Sequence, residues 1–495
     1  MIKNEDMSPD TNSFNIVLNA LAQGREKNSE FRAEALLERM ETLSATDDNC
    51  APDEISFNVV LNGWATSGHK GAAERATAIL DHMKKRHEAG VTNVQPDWSS
   101  YATVLKACAR SRDRDAIDRA EAVFSEYQEA CESDQSEFSH NAFAYNSMIN
   151  CFAKSRHPDA GNRAIALFEK MRVNMGKPGW EMCFLDIYTY TSLIDAIAKQ
   201  QSYEASEHAI TLLEELEESF EKTGDVRLEP NIRLYTSVVN AIARSHESPD
   251  RAKAIVDRIE SSYIEGLTSK NLKPDVVFYN ALINAYGWSN AEGRSQKSFE
   301  ILKHMISLSE SGKLPDVSPD TVSFNSVLNA CAHEYTKDKS ASVNIMKNVV
   351  EAFEMLKNSP EYGKPDQRTY VQVMNSIANH MDENDEKRAR MAEVTFLQCA
   401  SNGLVGPAVV PQLFATIPRE RFQALMGPAS TGRGNQLKFD VSELPAKWTA
   451  NAMTANSRNG RRSRSRKVQS NFQVTKNVIS KQQNGNNNRE TNLTL

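Results

Sequence analysis

Short polar side chains recur at two fixed positions relative to a recurring aromatic residue. In the eight copies that are followed by a further copy, the residue immediately after the aromatic is Asn or Thr seven times, and Ala102 is the exception. The residue four positions before the next aromatic is always Asp or Asn. Asn and Thr carry compact hydrogen-bonding groups, Asp accepts hydrogen bonds, and Asn both donates and accepts them. Such groups could discriminate the edges of unstacked bases, and they could equally cap helices.

The aromatic residue marks a repeat that fills most of the chain. It occurs at intervals of 43, 44, 44, 45, 45, 44, 45 and 46 residues, at Phe14, Phe57, Tyr101, Tyr145, Tyr190, Tyr235, Tyr279, Phe324 and Tyr370. The segment PDTNSFNIVLNALA begins at Pro9, and PDVVFYNALINAYG at Pro274 follows the same pattern. A pattern that returns at an even interval indicates a repeat protein.

Each repeat contains two helical patterns. Apolar pairs such as Val104-Leu105 follow the aromatic, small residues lie six and eight positions after it, and a second pattern such as RAIALFEKM ends at Met171. Apolar residues at helical spacing predict a helix that is buried on one face, and the small residues predict close neighbours. One helix pair cannot bury its own apolar face, so the pattern predicts an all-α solenoid of stacked pairs.

Composition and charge divide the chain into three parts. We expect about nine helix pairs in residues 9–405, a capping segment in residues 406–430 and a disordered basic tail in residues 431–495. The net charge is −7, but the tail carries +9 and residues 1–430 carry −16. The run from Arg458 to Lys467 has six basic residues in ten, which is typical of a nucleic-acid arm, of a nuclear-localisation-like patch, or of a solvated run without a single role.

Three elements of the repeat together resemble the pentatricopeptide repeat family: the aromatic-Asn start, the Pro-Asp before it and the A-x3-[LF]-x2-M ending. The resemblance covers roughly residues 9–405. The repeats are longer than is usual in the family, and we expect the extra residues in the turn between the helices and in the loop before the next repeat. The resemblance implies a right-handed superhelical solenoid that binds single-stranded RNA, with one base per repeat.

By the same resemblance, each base is contacted by the residue after one aromatic and by the residue four positions before the next aromatic. The pairs are Asn15 with Asp53, Asn58 with Asp97, Ala102 with Asn141, Asn146 with Asp186, Thr191 with Asn231, Thr236 with Asp275, Asn280 with Asp320 and Asn325 with Asp366. The family's rules imply that Asn-Asp favours U, Thr-Asn favours A and Thr-Asp favours G. The expected site is U-U-x-U-A-G-U-U, with the Ala102 position unreadable.

Two further columns lie on the same helix. Five residues after the aromatic, a mostly polar column is expected either to bridge adjacent repeats or to line the groove: Asn19, Asn62, Lys106, Asn150, Asp195, Asn240, Asn284, Asn329 and Asn375. Nine residues after it, Arg110, Lys154, Lys199 and Arg244 are candidate phosphate contacts. Interaction of these four cations with the helix dipole is the alternative interpretation.

No arrangement of residues predicts catalysis, a cofactor or a metal site. The seven cysteines form no CxxC pair, the ten histidines form no HExxH motif, and the acidic run from Asp382 to Glu386 lacks the ligand order of a calcium loop. We therefore expect a protein that is not an enzyme and uses no cofactor, with protein partners supplying catalysis. No run of about 18 apolar residues is present, so we expect no membrane span.

The resemblance implies a role in organelle RNA metabolism, in processing, stability or translation, and a location in the mitochondrion or plastid. The N-terminal residues MIKNEDMSPD show no transit peptide, so either targeting is absent or the start lies upstream. Three alternatives stay open: a protein-binding scaffold, a subunit of an organelle ribosome or RNase complex without base readout, and a nuclease fused to repeats. The last would need an acidic metal-binding domain that the sequence does not reveal.

Overall fold

The structure is a computed structural model that describes residues 9–24, 26, 28–111, 113, 115–133, 138–246, 248–427, 430–431, 438–439 and 443–452. These residues form 21 α-helices joined by short loops, which confirms the prediction of an all-α helical-repeat fold. Two strands of two residues each, β1 (Ser430–Thr431) and β2 (Lys438–Phe439), pair antiparallel. The basic run from Arg458 to Lys467 lies outside the described residues.

The chain divides into two compact units, of which the first comprises residues 1–247 and 266–273. In this unit the first helix of a repeat, which carries the marker aromatic, alternates along the chain with the second helix. The helices are α1 (Thr11–Gln23), α2 (Ser29–Ser44), α3 (Glu54–Ser67), α4 (Ala72–Glu88), α5 (Trp98–Arg110), α6 (Ala116–Glu132), α7 (Ala142–Lys154), α8 (Ala160–Asn174), α9 (Ile187–Ile197), α10 (Tyr203–Thr223) and α11 (Ile232–Ser245).

The second unit comprises residues 248–265 and 274–495. Its helices are α12 (Asp250–Ile264), α13 (Val276–Trp288), α14 (Arg294–Glu310), α15 (Thr321–His333), α16 (Lys339–Asn358), α17 (Gln367–His380), α18 (Glu386–Ser401), α19 (Val409–Thr416), α20 (Arg419–Met426) and α21 (Ala446–Thr449). The segment from which we expected a cap contains α19 and α20. Arg421 of α20 forms an ion pair with Glu393 of α18 at 2.6 Å, and Phe422 is completely buried.

Seven single turns of 3-10 helix lie between the α-helices of the described residues. Six of these turns lie in the loops that lead to the next first helix, and the seventh follows α9. They are Asp48–Cys50, Thr92–Val94, Ala198–Gln200, Val226–Leu228, Lys270–Leu272, Pro315–Val317 and Pro360–Tyr362.

Every first helix begins after an Asp or Asn whose side chain accepts a hydrogen bond from a backbone N–H of the first turn. These N-cap residues are Asp10, Asp53, Asp97, Asn141, Asp186, Asn231, Asp275, Asp320 and Asp366. In five helices the side chain at the third helical position also accepts a hydrogen bond from the cap residue's N–H, which completes a capping box. A cap of this kind stabilises a helix by about 1 kcal/mol. The capping interpretation of these residues is thus confirmed.

The marker aromatics form the core of each helix pair. From Phe57 to Tyr370 each is 5% exposed or less. The small residues beside them let the first helices of successive repeats approach closely: a Cβ at Gly287 of α13 would lie 3.2 Å from the Cβ of Ala330 in α15. Because a larger residue would push these helices apart, the small column sets their spacing.

The remaining features of the described residues agree with a packed helical protein. All seven cysteines are free thiols, and six of them are buried. No helix among the described residues is long and apolar enough to cross a membrane.

Candidate nucleic-acid interface

In five of the eight expected pairs, the two side chains lie within hydrogen-bonding distance of each other. The amide Nδ2 of the Asn donates to Oδ1 of the Asp that caps the first helix of the next repeat. The Nδ2–Oδ1 distances are 3.1 Å for Asn15–Asp53, 3.3 Å for Asn58–Asp97, 3.2 Å for Asn146–Asp186, 3.4 Å for Asn280–Asp320 and 3.1 Å for Asn325–Asp366. Each of these pairs therefore forms a single polar site between two neighbouring first helices.

The two threonines are held differently. The hydroxyl of Thr191 donates to the carbonyl of Ile187 at 2.6 Å, and that of Thr236 donates to the carbonyl of Ile232 at 2.8 Å. Each threonine is buried, uses its proton within its own helix and keeps only oxygen lone pairs for another partner.

In the three pairs that begin with Thr or Ala, the second residue is the N-cap of a first helix. Asn231, the partner of Thr191, caps α11, and Asp275, the partner expected for Thr236, caps α13. Thr236 belongs to the first unit and Asp275 to the second. At the third pair, Ala102 has no polar group, and its partner Asn141 is buried and caps α7.

An exposed apolar column lies beside the base-reading candidates, and sequence reasoning missed it. Two residues before the marker aromatic, five repeats carry an aliphatic or aromatic side chain that is 56–67% exposed: Ile55, Phe143, Tyr188, Val277 and Val322. Residues at positions i and i+3 are neighbours on a helix, so each of these side chains adjoins the Asn or Thr three residues later. Alignment of the repeats displays this column, but only its exposure distinguishes it from core.

Four columns therefore share one stripe of the first helix. They lie two residues before the aromatic and one, five and nine residues after it, so the successive steps are three, four and four residues. These steps follow the helical period and keep the columns on one face. The stripe presents an apolar side chain, a hydrogen-bonding group, a second polar residue and, in the central repeats, a cation.

Three of the four candidate phosphate contacts affect one another electrostatically. Burial, together with the positive charges of Arg244, Lys154 and Arg156, lowers the pKa of Lys199 to about 8. Burial is the largest cause of this shift, and an anion would offset the part that comes from the neighbouring cations. Arg110, the fourth candidate, is exposed in the last turn of α5.

The helix-dipole interpretation of the cations also agrees with their positions. Arg110, Lys154 and Arg244 each lie in the last turn of a first helix, where the backbone carbonyls point outward. Lys199 lies in the 3-10 turn after α9 and donates to the carbonyl of Ser155. A contact with phosphate and an interaction with the helix end are compatible for these side chains.

The polar column five residues after the aromatic bridges repeats at two points. Lys106 Nζ donates to Oδ1 of Asn62 at 3.3 Å, and Gln372 Nε2 donates to Oδ1 of Asn329 at 3.0 Å. The bridging interpretation is confirmed at these two points, while groove lining stays a prediction.

Within the part of the chain that is described, no group of three or more His, Cys, Asp or Glu residues could hold a metal ion. In the acidic run before α18, Asp385 accepts a hydrogen bond from the N–H of Lys387 and caps that helix.

The fold and the stripe define the class as a helical-repeat protein with a regular polar face. Comparison with known families identifies the repeats: a model described as PPR repeat matches residues 143–174, and one described as Pentatricopeptide repeat domain matches residues 262–334. These two segments of the chain are therefore similar to pentatricopeptide repeats. The matched residues include Asn146 and the complete Asn280–Asp320 pair. No curated protein matches the chain.

Proposed function

We propose that this protein binds single-stranded RNA sequence-specifically, with one base contacted by each pair of polar residues. The observation that carries the proposal is the contact between the two members of five pairs, at 3.1–3.4 Å. Two residues about 40 positions apart in the sequence meet at one point, as a shared base-reading site requires. The expected target is U-U-x-U-A-G-U-U.

The chemistry of each pair suits an unstacked base. An Asn amide has two N–H donors and an oxygen with two lone pairs, so one bond to Asp leaves further hydrogen-bonding capacity for a base edge. The exposed apolar side chain three residues earlier offers a surface on which a base can stack or pack. Base specificity and base packing would thus come from adjacent residues of one helix.

Electrostatics supports a groove that binds locally rather than a generally basic surface. Residues 1–430 carry a net charge of −16, which disfavours nonspecific attraction of RNA. The cluster of Lys154, Lys199 and Arg244 places positive charge on the same stripe as the polar pairs. We expect this cluster to contact phosphates, and affinity to depend on these contacts and on the pairs.

The biological setting is proposed from the family resemblance alone. We propose a role in organelle RNA processing, stability or translation, a location in the mitochondrion or plastid, and protein partners that supply catalysis. Fluorescence from a tagged full-length protein in living cells tests the location. Fluorescence confined to the cytosol or nucleus would contradict it.

The binding proposal is tested with an eight-nucleotide RNA of the expected sequence, with A at the third position, and a scrambled RNA of identical composition. Affinities are measured at a fixed, stated salt concentration, because phosphate contacts make binding salt-dependent. We expect clear preference for the expected sequence, and equal weak binding of both would contradict base readout.

A protein-binding scaffold is the second candidate function. The observation that favours it is a set of exposed aliphatic residues on the second helices α16 and α18, which do not carry the polar pairs: Val343, Val350, Val394 and Leu397. Such residues on a monomer surface are typical of protein contacts when they cluster. Absence of RNA binding together with a stoichiometric complex with a purified protein would favour this function.

A further inference from the structure

A buried hydroxyl accompanies every polar pair whose first residue is Asn. The residue directly before the next marker aromatic is Ser or Thr whenever the pair begins with Asn: Ser56, Ser100, Thr189, Ser323 and Thr369. It is apolar in the three pairs that begin with Ala or Thr: Ala144, Leu234 and Phe278. All five hydroxyl residues are completely buried, so their side chains are not positioned to meet a base directly.

In four modules, each defined as an Asn, its Asp and this hydroxyl residue, the hydroxyl contacts the amide of the Asn. The Oγ–Oδ1 distance is 2.7 Å for Ser56–Asn15, Ser100–Asn58, Thr189–Asn146 and Thr369–Asn325. The same hydroxyl accepts a hydrogen bond from the N–H of the capping Asp, at 3.0–3.2 Å. Each amide is thus held by two side chains of the next repeat.

The chemistry of the three groups fixes which way the amide faces. A carboxylate only accepts hydrogen bonds, so the Asn must turn its Nδ2 toward the Asp. Its Oδ1 then faces the hydroxyl. The same hydroxyl also lies 2.8–3.1 Å from Oδ1 of the Asp, but an amide oxygen and a hydroxyl oxygen 2.7 Å apart need a proton between them, so the hydroxyl donates to the Asn Oδ1. The opposite orientation of the amide would place Oδ1 against a carboxylate oxygen about 3 Å away, which is repulsive.

A fixed amide can separate uracil from cytosine. At the corresponding edge, uracil offers an acceptor at O4 beside a donor at N3–H, whereas cytosine offers a donor at N4 beside an acceptor at N3. An amide with one free N–H and one free oxygen lone pair matches uracil in one orientation and cytosine in the reversed orientation. Preventing reversal therefore prevents acceptance of cytosine.

We propose that this hydroxyl is a third specificity-determining residue of the four modules in which it contacts the Asn, where it sets the preference for U over C by fixing the amide. The inference rests on the proposed function, since it assumes that the Asn contacts a base. The hydroxyl is a positioning residue, because it acts through the Asn. A module is thus built from three residues, and two of them belong to the following repeat.

One module of the chain departs from this arrangement. Ser323 Oγ lies 3.0 Å from Asp320 Oδ1, within the 2.8–3.1 Å range of the other four modules, but the buried Oδ1 of Asn280 has no hydrogen-bond partner. The Nδ2–Oδ1 distance to Asp320 is 3.4 Å, the longest of the five. Ser323 nevertheless completes its capping box, because its Oγ accepts from the Asp320 N–H at 3.1 Å. Replacement of Ser323 therefore removes a capping hydroxyl without removing an amide contact.

The test compares Thr189→Val, Thr189→Ser and, as the matched control, Ser323→Ala in the full-length protein. Affinities are measured for RNAs that carry U or C at the fourth nucleotide, which Asn146 would read, or at the seventh, which Asn280 would read. Loss of one hydrogen bond to the amide predicts that Thr189→Val lowers the U-over-C ratio at the fourth nucleotide about fivefold. Thr189→Ser should preserve this ratio, and Ser323→Ala should leave the ratio at the seventh nucleotide unchanged.

The outcomes separate this inference from the proposed function. If the wild-type protein has no base preference at any position, both fail. If the wild type prefers U at the fourth nucleotide and Thr189→Val keeps the same ratio, the inference alone fails, even if affinity for both RNAs falls equally through loss of the cap. Should Thr189→Val not fold, as judged by circular dichroism, Ser100→Ala with U or C at the second nucleotide gives the same test.

Discussion

Replacement of Asn146 by Thr should change the base preferred at the fourth nucleotide from U to G. In the native protein, Asn146 donates to Asp186 at 3.2 Å and accepts from Thr189 at 2.7 Å. A threonine here is expected to donate to the carbonyl four residues earlier, as Thr191 and Thr236 do. The amide edge would be exchanged for oxygen lone pairs, which suit the donors of the guanine edge.

The magnitude follows from the bonds that are exchanged. A well-placed polar contact to a base is worth about 1–3 kcal/mol of discrimination, which corresponds to about 5- to 150-fold in relative affinity. The variant also loses the contact between the amide and Asp186, at a cost of about 1 kcal/mol in folding stability. The capping box of Asp186 and Thr189 is unaffected, so the variant should fold.

The assay is fluorescence anisotropy with four RNAs that differ only at the fourth nucleotide, each titrated with wild type and variant at the same salt. Thermal unfolding by circular dichroism establishes that the variant is folded. Preferences at the other positions serve as the internal control and should not change. A folded variant that still prefers U at the fourth nucleotide would refute the reasoning.

Three further predictions concern other parts of the stripe. Tyr188→Ala should weaken RNA binding by about 1–3 kcal/mol whichever base is offered, because it removes an exposed stacking surface, while Tyr188→Phe should not; equal affinities of both variants in anisotropy titrations would contradict this. Replacement of Lys154, Lys199 and Arg244 by Gln should reduce the slope of log K against log salt by about 2, since each phosphate contact on a single strand contributes about 0.7, and an unchanged slope would exclude these contacts. Because the pKa of Lys199 is about 8 in the free protein and a bound phosphate would raise it, binding should take up a proton above pH 8, and affinity should fall by up to about tenfold per pH unit. The guanidinium of Lys199→Arg stays charged, so the RNA affinity of this variant should not change between pH 7 and 8.75. A pH dependence of affinity equal to that of the wild type would assign the titration to another group.

The helical-repeat fold was predictable from the sequence because its signals recur nine times. Each signal has one physical meaning: the marker aromatics indicate burial, the small residues indicate close packing, and the Asp or Asn residues indicate helix caps. The structure shows all three. Gly287 illustrates this: its place in the small column predicts close packing, and the structure places it against Ala330. The pairing of Asn15 with Asp53 came from family resemblance, and their contact at 3.1 Å agrees with it.

Other features depended on geometry that a single repeat does not display. The exposure of Tyr188 could not be predicted, because an aromatic residue in a helical pattern normally indicates core. The lowered pKa of Lys199 depends first on its burial and then on cations of neighbouring repeats, and a single repeat displays neither. The contact between Thr189 and Asn146 could not be predicted from the sequence. The Thr189 hydroxyl accepts a hydrogen bond within its own capping box, which is local in sequence, but it also donates to Asn146 of the preceding repeat, which is not.

The central claim is that one base is read at each successive polar pair. It is tested most directly by enrichment of an RNA library with randomised positions on the purified full-length protein at a fixed salt concentration. The account predicts a consensus of U-U-x-U-A-G-U-U, with no preference at the third nucleotide, where Ala102 replaces the polar residue. No consensus, or a consensus whose spacing or order does not follow the pairs, would contradict it.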